Sequence, residues 1–248
     1  MSDGIMKSIM RRAHINIYNS RKHLAVTLLL VVLPFLFLLG FSRYAHIAAG
    51  QLFSDVGMSF VRLVVAYLIS VVLAWILAIL FYKGRRAKVA LPVFDVLQSF
   101  PAFAMLPLAT LVFGRSNTTV IFFLVITIIW PILFSILSSL KLIKHEWEEA
   151  VEISGMGGVD YLKYFLWPVS VPGLITGSII GLGEGWEALV ATEIIVRMHG
   201  GLGDFFNRYS TNAEITALGI AGLLILIFSM NKLFWLPLLE SSHRRMEE

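Results

Sequence analysis

Six stretches of this chain are long and apolar enough to cross hydrocarbon as helices, at about 24–41, 61–82, 89–113, 118–140, 169–196 and 215–239. A helix needs about 20 apolar residues for this, because lipid offers no partner to backbone N–H and C=O groups and the helix satisfies them internally. The expected fold class is therefore an all-α integral membrane bundle of six transmembrane helices. Composition agrees: 58% of residues are hydrophobic and 15% charged, against about one half and one quarter in soluble domains. The basic, then apolar, amino terminus is like a signal peptide, but it lacks a convincing small-residue cleavage site and is read as a retained first span.

The spans are not all regular. Pro34 lies in the first and Pro131 in the fourth; each removes a helical hydrogen bond and favours a kink. The third contains Pro92, Pro101 and Pro107 together with Asp95, Gln98 and Ser99. Such a segment cannot face lipid all round and is expected to be broken, or packed within the bundle.

Basic residues fix the expected orientation. Lys7, Arg11, Arg12, Arg21, Lys22, Lys83, Arg85, Arg86, Lys88, Lys141, Lys144, Lys163, Lys232, Arg244 and Arg245 fall on one side of a six-span chain, leaving Arg43, Arg62, Arg115, Arg197 and Arg208 on the other. Lysine and arginine accumulate in cytoplasmic loops, so both termini are expected in the cytoplasm, and the net charge of +4 reads as a topological mark. Residues 1–23 form a cytoplasmic lead-in, 24–240 a single membrane domain and 241–248 a cytoplasmic tail. Arg62 and Arg115 read as interface anchors, whose long side chains reach out to the headgroups.

Between the fourth and fifth spans lies a polar island. Glu146, Glu148, Glu149 and Glu152 gather where a helix would start, at the positive end of its dipole, and Gly155, Gly157 and Gly158 supply backbone able to end it. Tyr161, Tyr164 and Phe165 follow at helical spacing, and Pro168 opens the next span. On composition alone, a helix lying on lipid headgroups satisfies this pattern equally well.

The spacing Glu149-Ala150, Gly155 and Pro168 resembles the EAA motif of permease subunits of binding-protein-dependent ABC importers, with Val151 where alanine is usual. Gln98-Ser99-Phe100-Pro101 through Leu106-Pro107, Gly185-Trp186, Ala191-Thr192-Glu193 and Gly201-Leu202-Gly203 are similar to segments of the nitrate/sulfonate/taurine-type permeases. The resemblance covers roughly residues 57–240 and implies a type I importer permease. It implies that region 146–167 is a coupling element, with Glu149, Ala150, Gly155, Met156, Gly157 and Tyr161 docking on an ATPase. The implied partners are two ATPase subunits, a second permease copy or paralogue, an extracytoplasmic solute-binding protein and the lipid of the cell inner membrane; nucleic acid is not among them. The chain has no Gly-x-x-x-x-Gly-Lys-Ser/Thr phosphate loop, so ATP and Mg are expected in the partner ATPases and no cofactor in this chain.

Candidate pathway residues follow from the cost of polarity in lipid. Glu184 and Glu187 are three apart on one helix face near the middle of the fifth span. A carboxylate there costs about 2.5–3.5 kcal/mol on insertion scales, so it faces a bundle interior or a wet cavity. Gln98, Phe103 and Trp186 are further candidates for lining the path, and Glu193, near the outer end, reads as a gate or as a structural hydrogen-bonding group. The resemblance implies a small organic or inorganic anion as solute. The two central acids would repel one, and leave open a neutral or cationic heterocycle of the thiamine-precursor kind. An intramembrane enzyme using Glu184 and Glu187 is the alternative of another class, but the chain has no cysteine and no His-Glu-x-x-His, and its histidines lack the i, i+4 pairing of a helical zinc site. The expectation is a transport subunit with no catalytic and no metal residues.

Overall fold

A computed structural model describes residues 27–235 and 238; the expected lead-in 1–23 and tail 241–248 lie outside them. Every regular element among the described residues is helical. Helix α1 is Thr27–Tyr44. It is followed by α2 (Ala49–Phe81), α3 (Gly84–Ser99), a 3-10 turn (Ala102–Met105), α4 (Leu106–Phe113) and α5 (Asn117–Lys141). The second half has α6 (His145–Ile153), α7 (Gly158–Asp160), a π turn (Tyr161–Leu166), α8 (Trp167–Val196), α9 (Leu202–Arg208), α10 (Ala213–Met230) and a second π turn (Asn231–Trp235). By length and composition five helices can cross a membrane, and α3 with α4 make a sixth if that bent pair is one span.

The bend in that pair is 77° and sits at Phe100-Pro101. The proline ring clashes with a helical residue before it, and Phe100 is accordingly extended, with ψ 130°. Pro92 is accommodated inside α3, and Pro107 occupies the first turn of α4, where a missing N–H costs nothing.

Helix α5 is the axis of the bundle. Val120, Leu124, Ile128, Ile132, Leu133 and Ile136 on it are all fully buried, with α2 and α8 as its principal neighbours. Close approach to α8 depends on glycine. Gly173, Gly177, Gly181 and Gly185 recur every four residues and so form one stripe on α8. A Cβ on Gly173 would lie 2.3 Å from the Ser135 carbonyl oxygen, and one on Gly177 2.6 Å from the Ile132 Cα. In lipid, where apolar surface gains nothing by leaving its solvent, such small-residue stripes let backbones pack by van der Waals contact. Side-chain hydrogen bonds tie α2 to α8: Tyr67 Oη pairs with Ser178 Oγ at 2.9 Å, and Trp75 Nε1 donates to Ser170 Oγ at 3.1 Å.

Helix α2 begins at Ala49, well before the start near 61 that hydropathy suggests, because Asp55 and Arg62 depress the apolar average while both being buried. The fifth span likewise has no break at Pro168. Proline lacks the N–H that would bond to the carbonyl four residues back, and the wider π turn just ahead of it lets the helix continue from Gly158 to Val196.

Candidate functional site

Three groups of polar residues stand along this scaffold. The first is α6 and the turn after it. Glu146 and Glu148 occupy the first turn of α6, where carboxylates meet the positive end of the helix dipole. Its carboxyl end closes as a Schellman motif: Met156 N–H donates to Val151 O at 3.3 Å and Gly155 N–H to Glu152 O at 3.1 Å, with Gly155 left-handed at φ 69°. No other described segment covers this element: Glu149, Ala150, Gly155 and Gly157 are exposed and Met156 is half-buried. Glu149 meets His145 at 3.2 Å across one turn of the same helix. Ile153 and Val159 present 88% and 74% of their surface, so the element carries apolar as well as acidic groups outward.

Among the described residues, polar contacts tie α6 and the segment after it to the end of α2. Lys83 Nζ lies 3.1 Å from Glu148 Oε1, and Tyr82 Oη lies 3.1 Å from Tyr161 Oη, at the junction of α2 with α7 and the π turn. The Lys83 ammonium is pushed above the ordinary lysine range, chiefly by the adjacent Tyr82 and, after the opposing effect of burial, by Glu148.

The second group lines a groove of about 460 Å³ between the α3–α4 bend, α5 and α8. Gln98 and Phe100 come from the bend, Thr127, Trp130, Phe134 and Ser135 from α5, and Glu184 from α8. No lysine, arginine or histidine lines it. Glu187, one turn further on α8, is exposed on the protomer. Phe103 packs its ring 4.8 Å from that of Phe123 and keeps 46% of its surface. Trp186 takes no part in the groove: it is buried and stacked on Phe60 at 6.5 Å.

The third group is at the amino-terminal half of α2, with Arg62 about 30 Å from Lys83 at 1.5 Å per residue. Here the structure corrects the reading of Arg62 as an interface anchor. Its side chain turns inward and is almost fully buried, as is that of Glu193, and Nη1 lies 2.5 Å from Glu193 Oε1. Arg62 Nε donates to Asn117 Oδ1 at 2.8 Å and Nη1 to the Gly200 carbonyl at 3.0 Å. Glu193 also accepts from Ser59 Oγ at 2.8 Å and from the Gly203 N–H at 2.9 Å. A buried ion pair must have its remaining donors and acceptors satisfied to offset desolvation, and Ser59 and the glycine loop do this for the carboxylate.

Glycine is required in that loop. Gly201, at φ 110°, would place a Cβ 2.6 Å from Arg62 Nη1, and Gly203 one 2.3 Å from the Glu193 Cβ. Asp55 accepts from the Gly201 N–H at 3.2 Å and pairs with Arg208, which also meets Asp204 at 3.3 Å. Asp55, Ser59 and the α8 glycine stripe are missing from the sequence-level reading. The four-residue glycine repeat was the available signal for the stripe; nothing local marks Asp55 and Ser59, whose partners lie more than 130 residues away.

Among the described residues no cluster of three His, Asp or Glu side chains could hold a metal ion. A bundle of long apolar helices with a proline-broken span, a polar groove between helices and an exposed short helix on one loop defines a helical membrane protein.

Comparison with known proteins identifies the family. Residues 70–236 match the binding-protein-dependent transport system inner membrane component, and the chain belongs to that family. It is 32% identical over 184 residues to the nitrate import permease protein NrtB of Leptolyngbya laminosa, covering 70% of this chain and 65% of that protein. It is 26% identical over 175 residues to the bicarbonate transport system permease protein CmpB of Synechococcus elongatus, covering 67% and 63%. It is 31% identical over 109 residues to the taurine transport system permease protein TauC of Escherichia coli, covering 44% and 40%. The matched part thus spans just under two thirds of the first two relatives. The relatives are named as transport permeases, and the family to which this chain belongs is an inner-membrane component of such systems.

Proposed function

We propose that this chain is the solute-conducting subunit of an ATP-driven importer, with α6 and the turn after it as the surface that engages a separate ATPase. The observation that carries the proposal is the construction of α6: capped at its carboxyl end, uncovered by other described residues, acidic and apolar at once, and tied to the end of α2 by Lys83–Glu148, with Tyr82–Tyr161 joining α2 to the segment after it. Glu149, Ala150, Gly155, Met156 and Gly157 form the contact and Tyr161 transmits it. ATP and Mg bind in two ATPase partners, a second permease copy or paralogue completes the pathway, and an extracytoplasmic binding protein delivers the solute. Both termini and α6 are cytoplasmic, as the lysine and arginine distribution indicates.

The test is co-purification. Glu149→Arg should lose the ATPase while the chain still inserts into the membrane; retention of the ATPase with ATP hydrolysis still coupled to uptake would refute the reading.

The relatives' names support a small anion of the nitrate, bicarbonate or taurine kind as solute. One observation favours a second reading. The groove contains Glu184, aromatic rings and no cation, an environment that favours a neutral or cationic heterocycle through charge pairing and ring contact. The ligand that co-purifies with the delivering binding protein separates the two.

A further inference from the structure

At the end of the bundle opposite α6 a recess of about 610 Å³ is lined by Arg62 from α2, Arg115, Ser116 and Asn117 from the turn into α5, and Arg197 and His199 after α8. It shares no lining residue with the Gln98–Glu184 groove. Among the described residues no acidic side chain lines it. The acids nearest in the fold are already engaged: Glu193 by Ser59, Arg62 and Gly203, and Asp55 and Asp204 by Arg208. Arg115 and Arg197 are exposed and have no ion-pair partner among the described residues. The Arg62 guanidinium, 6% exposed, uses Nε and Nη1 within the protein, and no bond involves Nη2 among the described residues. Helix α5, 25 residues long, starts here, and its first N–H groups, on Asn117 and Thr118, have no partner within the helix.

We infer that this recess is a binding site for a small oxyanion, a nitrate, carboxylate or sulfonate group, held by Arg115 and Arg197 against the edge of Arg62 and the start of α5. Planar guanidinium forks match oxyanions with paired hydrogen bonds, and a long helix's amino terminus adds favourable dipole and free donors. Carboxylates lining the recess would cancel this field, and none does. The ligand is a free solute: the recess, at about 610 Å³, is of small-molecule size and within the range of ligand sites generally. Its place at the end away from α6 makes it a holding point for an anionic group at the mouth of the bundle. The site stands whether or not α6 engages an ATPase.

The test uses the full chain in phosphatidylcholine nanodiscs and calorimetric titration with nitrate and with ethanesulfonate. Saturable binding is expected, with a dissociation constant rising at least about 10-fold in R115Q/R197Q, since two charge-assisted contacts are lost. R115K/R197K, which keeps the charge without the forks, should fall between. Absence of saturable binding to the wild type, or an unchanged constant in R115Q/R197Q, overturns the inference. If the double variant fails to fold, R115Q alone and a salt titration of the wild type decide, because binding that does not weaken as sodium chloride is raised contradicts an arginine-held anion. Association of phosphatidylglycerol, with neither free anion bound, also overturns it.

Discussion

Arg62 and Glu193, 131 positions apart in the chain, meet at 2.5 Å inside the bundle with both side chains almost fully buried. The pair joins the amino-terminal half of α2 to the end of α8 and, through Gly203 and the Gly200 carbonyl, fixes the loop into α9. Removing one partner strands a buried charge. Glu193→Gln or Arg62→Gln should therefore lower stability by about 3–5 kcal/mol, with R62M/E193L recovering part of the loss because no charge is then left unpaired. Thermal unfolding of the purified chain in nanodiscs measures this; a double variant no better than either single would contradict it.

The glycine loop gives a sharper contrast. Gly203→Ala drives a Cβ to 2.3 Å from the Glu193 Cβ, whereas Gly183, in the middle of α8, has open space at the same position. Overpacking of this kind costs about 1–3 kcal/mol, while alanine for glycine on an open helix face is favourable by up to about 1 kcal/mol. The two variants should move the melting temperature in opposite directions.

Packing of α5 on α8 predicts a third outcome. Gly177→Leu cannot be accommodated beside the Ile132 Cα and Pro131 carbonyl without separating the helices. Proteolysis within α8 should become faster, and transport should fall with membrane insertion retained. Normal transport by Gly177→Leu would mean that the close approach is dispensable.

The Lys83–Glu148 contact is exposed, and its removal should lower stability near neutral pH only slightly, by about 0.2–1 kcal/mol. Its pH dependence has a definite sign. A lysine whose folded pKa lies above its ordinary 10.5 contributes stability that is complete below pH 10.5 and declines as pH rises through the folded value. Wild type should thus converge on K83M only in the alkaline range above pH 10.5, as followed by unfolding of the two proteins side by side.

For the groove, Glu184→Gln should alter solute affinity or transport rate while the chain assembles and inserts as before. Wild-type uptake across a panel of anionic, neutral and cationic solutes would remove Glu184 from the path.

How much of this was legible in sequence depended on whether the signal was local. The apolar runs, the broken third span at Pro101 and the glycine stop of α6 each depend on neighbours within a turn or two, and they read directly. Arg62 did not: a lone arginine near the end of an apolar run has the same local pattern whether it snorkels to the interface or turns in to a distant carboxylate. Helix α2 was cut short for the same reason, since hydropathy counts Asp55 and Arg62 as exposed while the fold neutralises them. Trp186 beside Glu187 suggests a cavity-facing ring, but consecutive helical positions point about 100° apart, and the structure sends one into packing with Phe60 and the other to the surface.

The helix from Gly158 to Val196 runs 39 residues, about 58 Å at 1.5 Å per residue, while hydrocarbon is about 30 Å thick. Nearly half of this strut must therefore project beyond the bilayer core, with the loosened turn at Tyr161–Leu166 near its α7 end and Glu193 anchored near the other. A strut of that length behaves as a lever. A tilt of 10° at the projecting end sweeps its tip through about 10 Å, so a small angular input there becomes a side-chain-sized displacement across the thickness of the membrane.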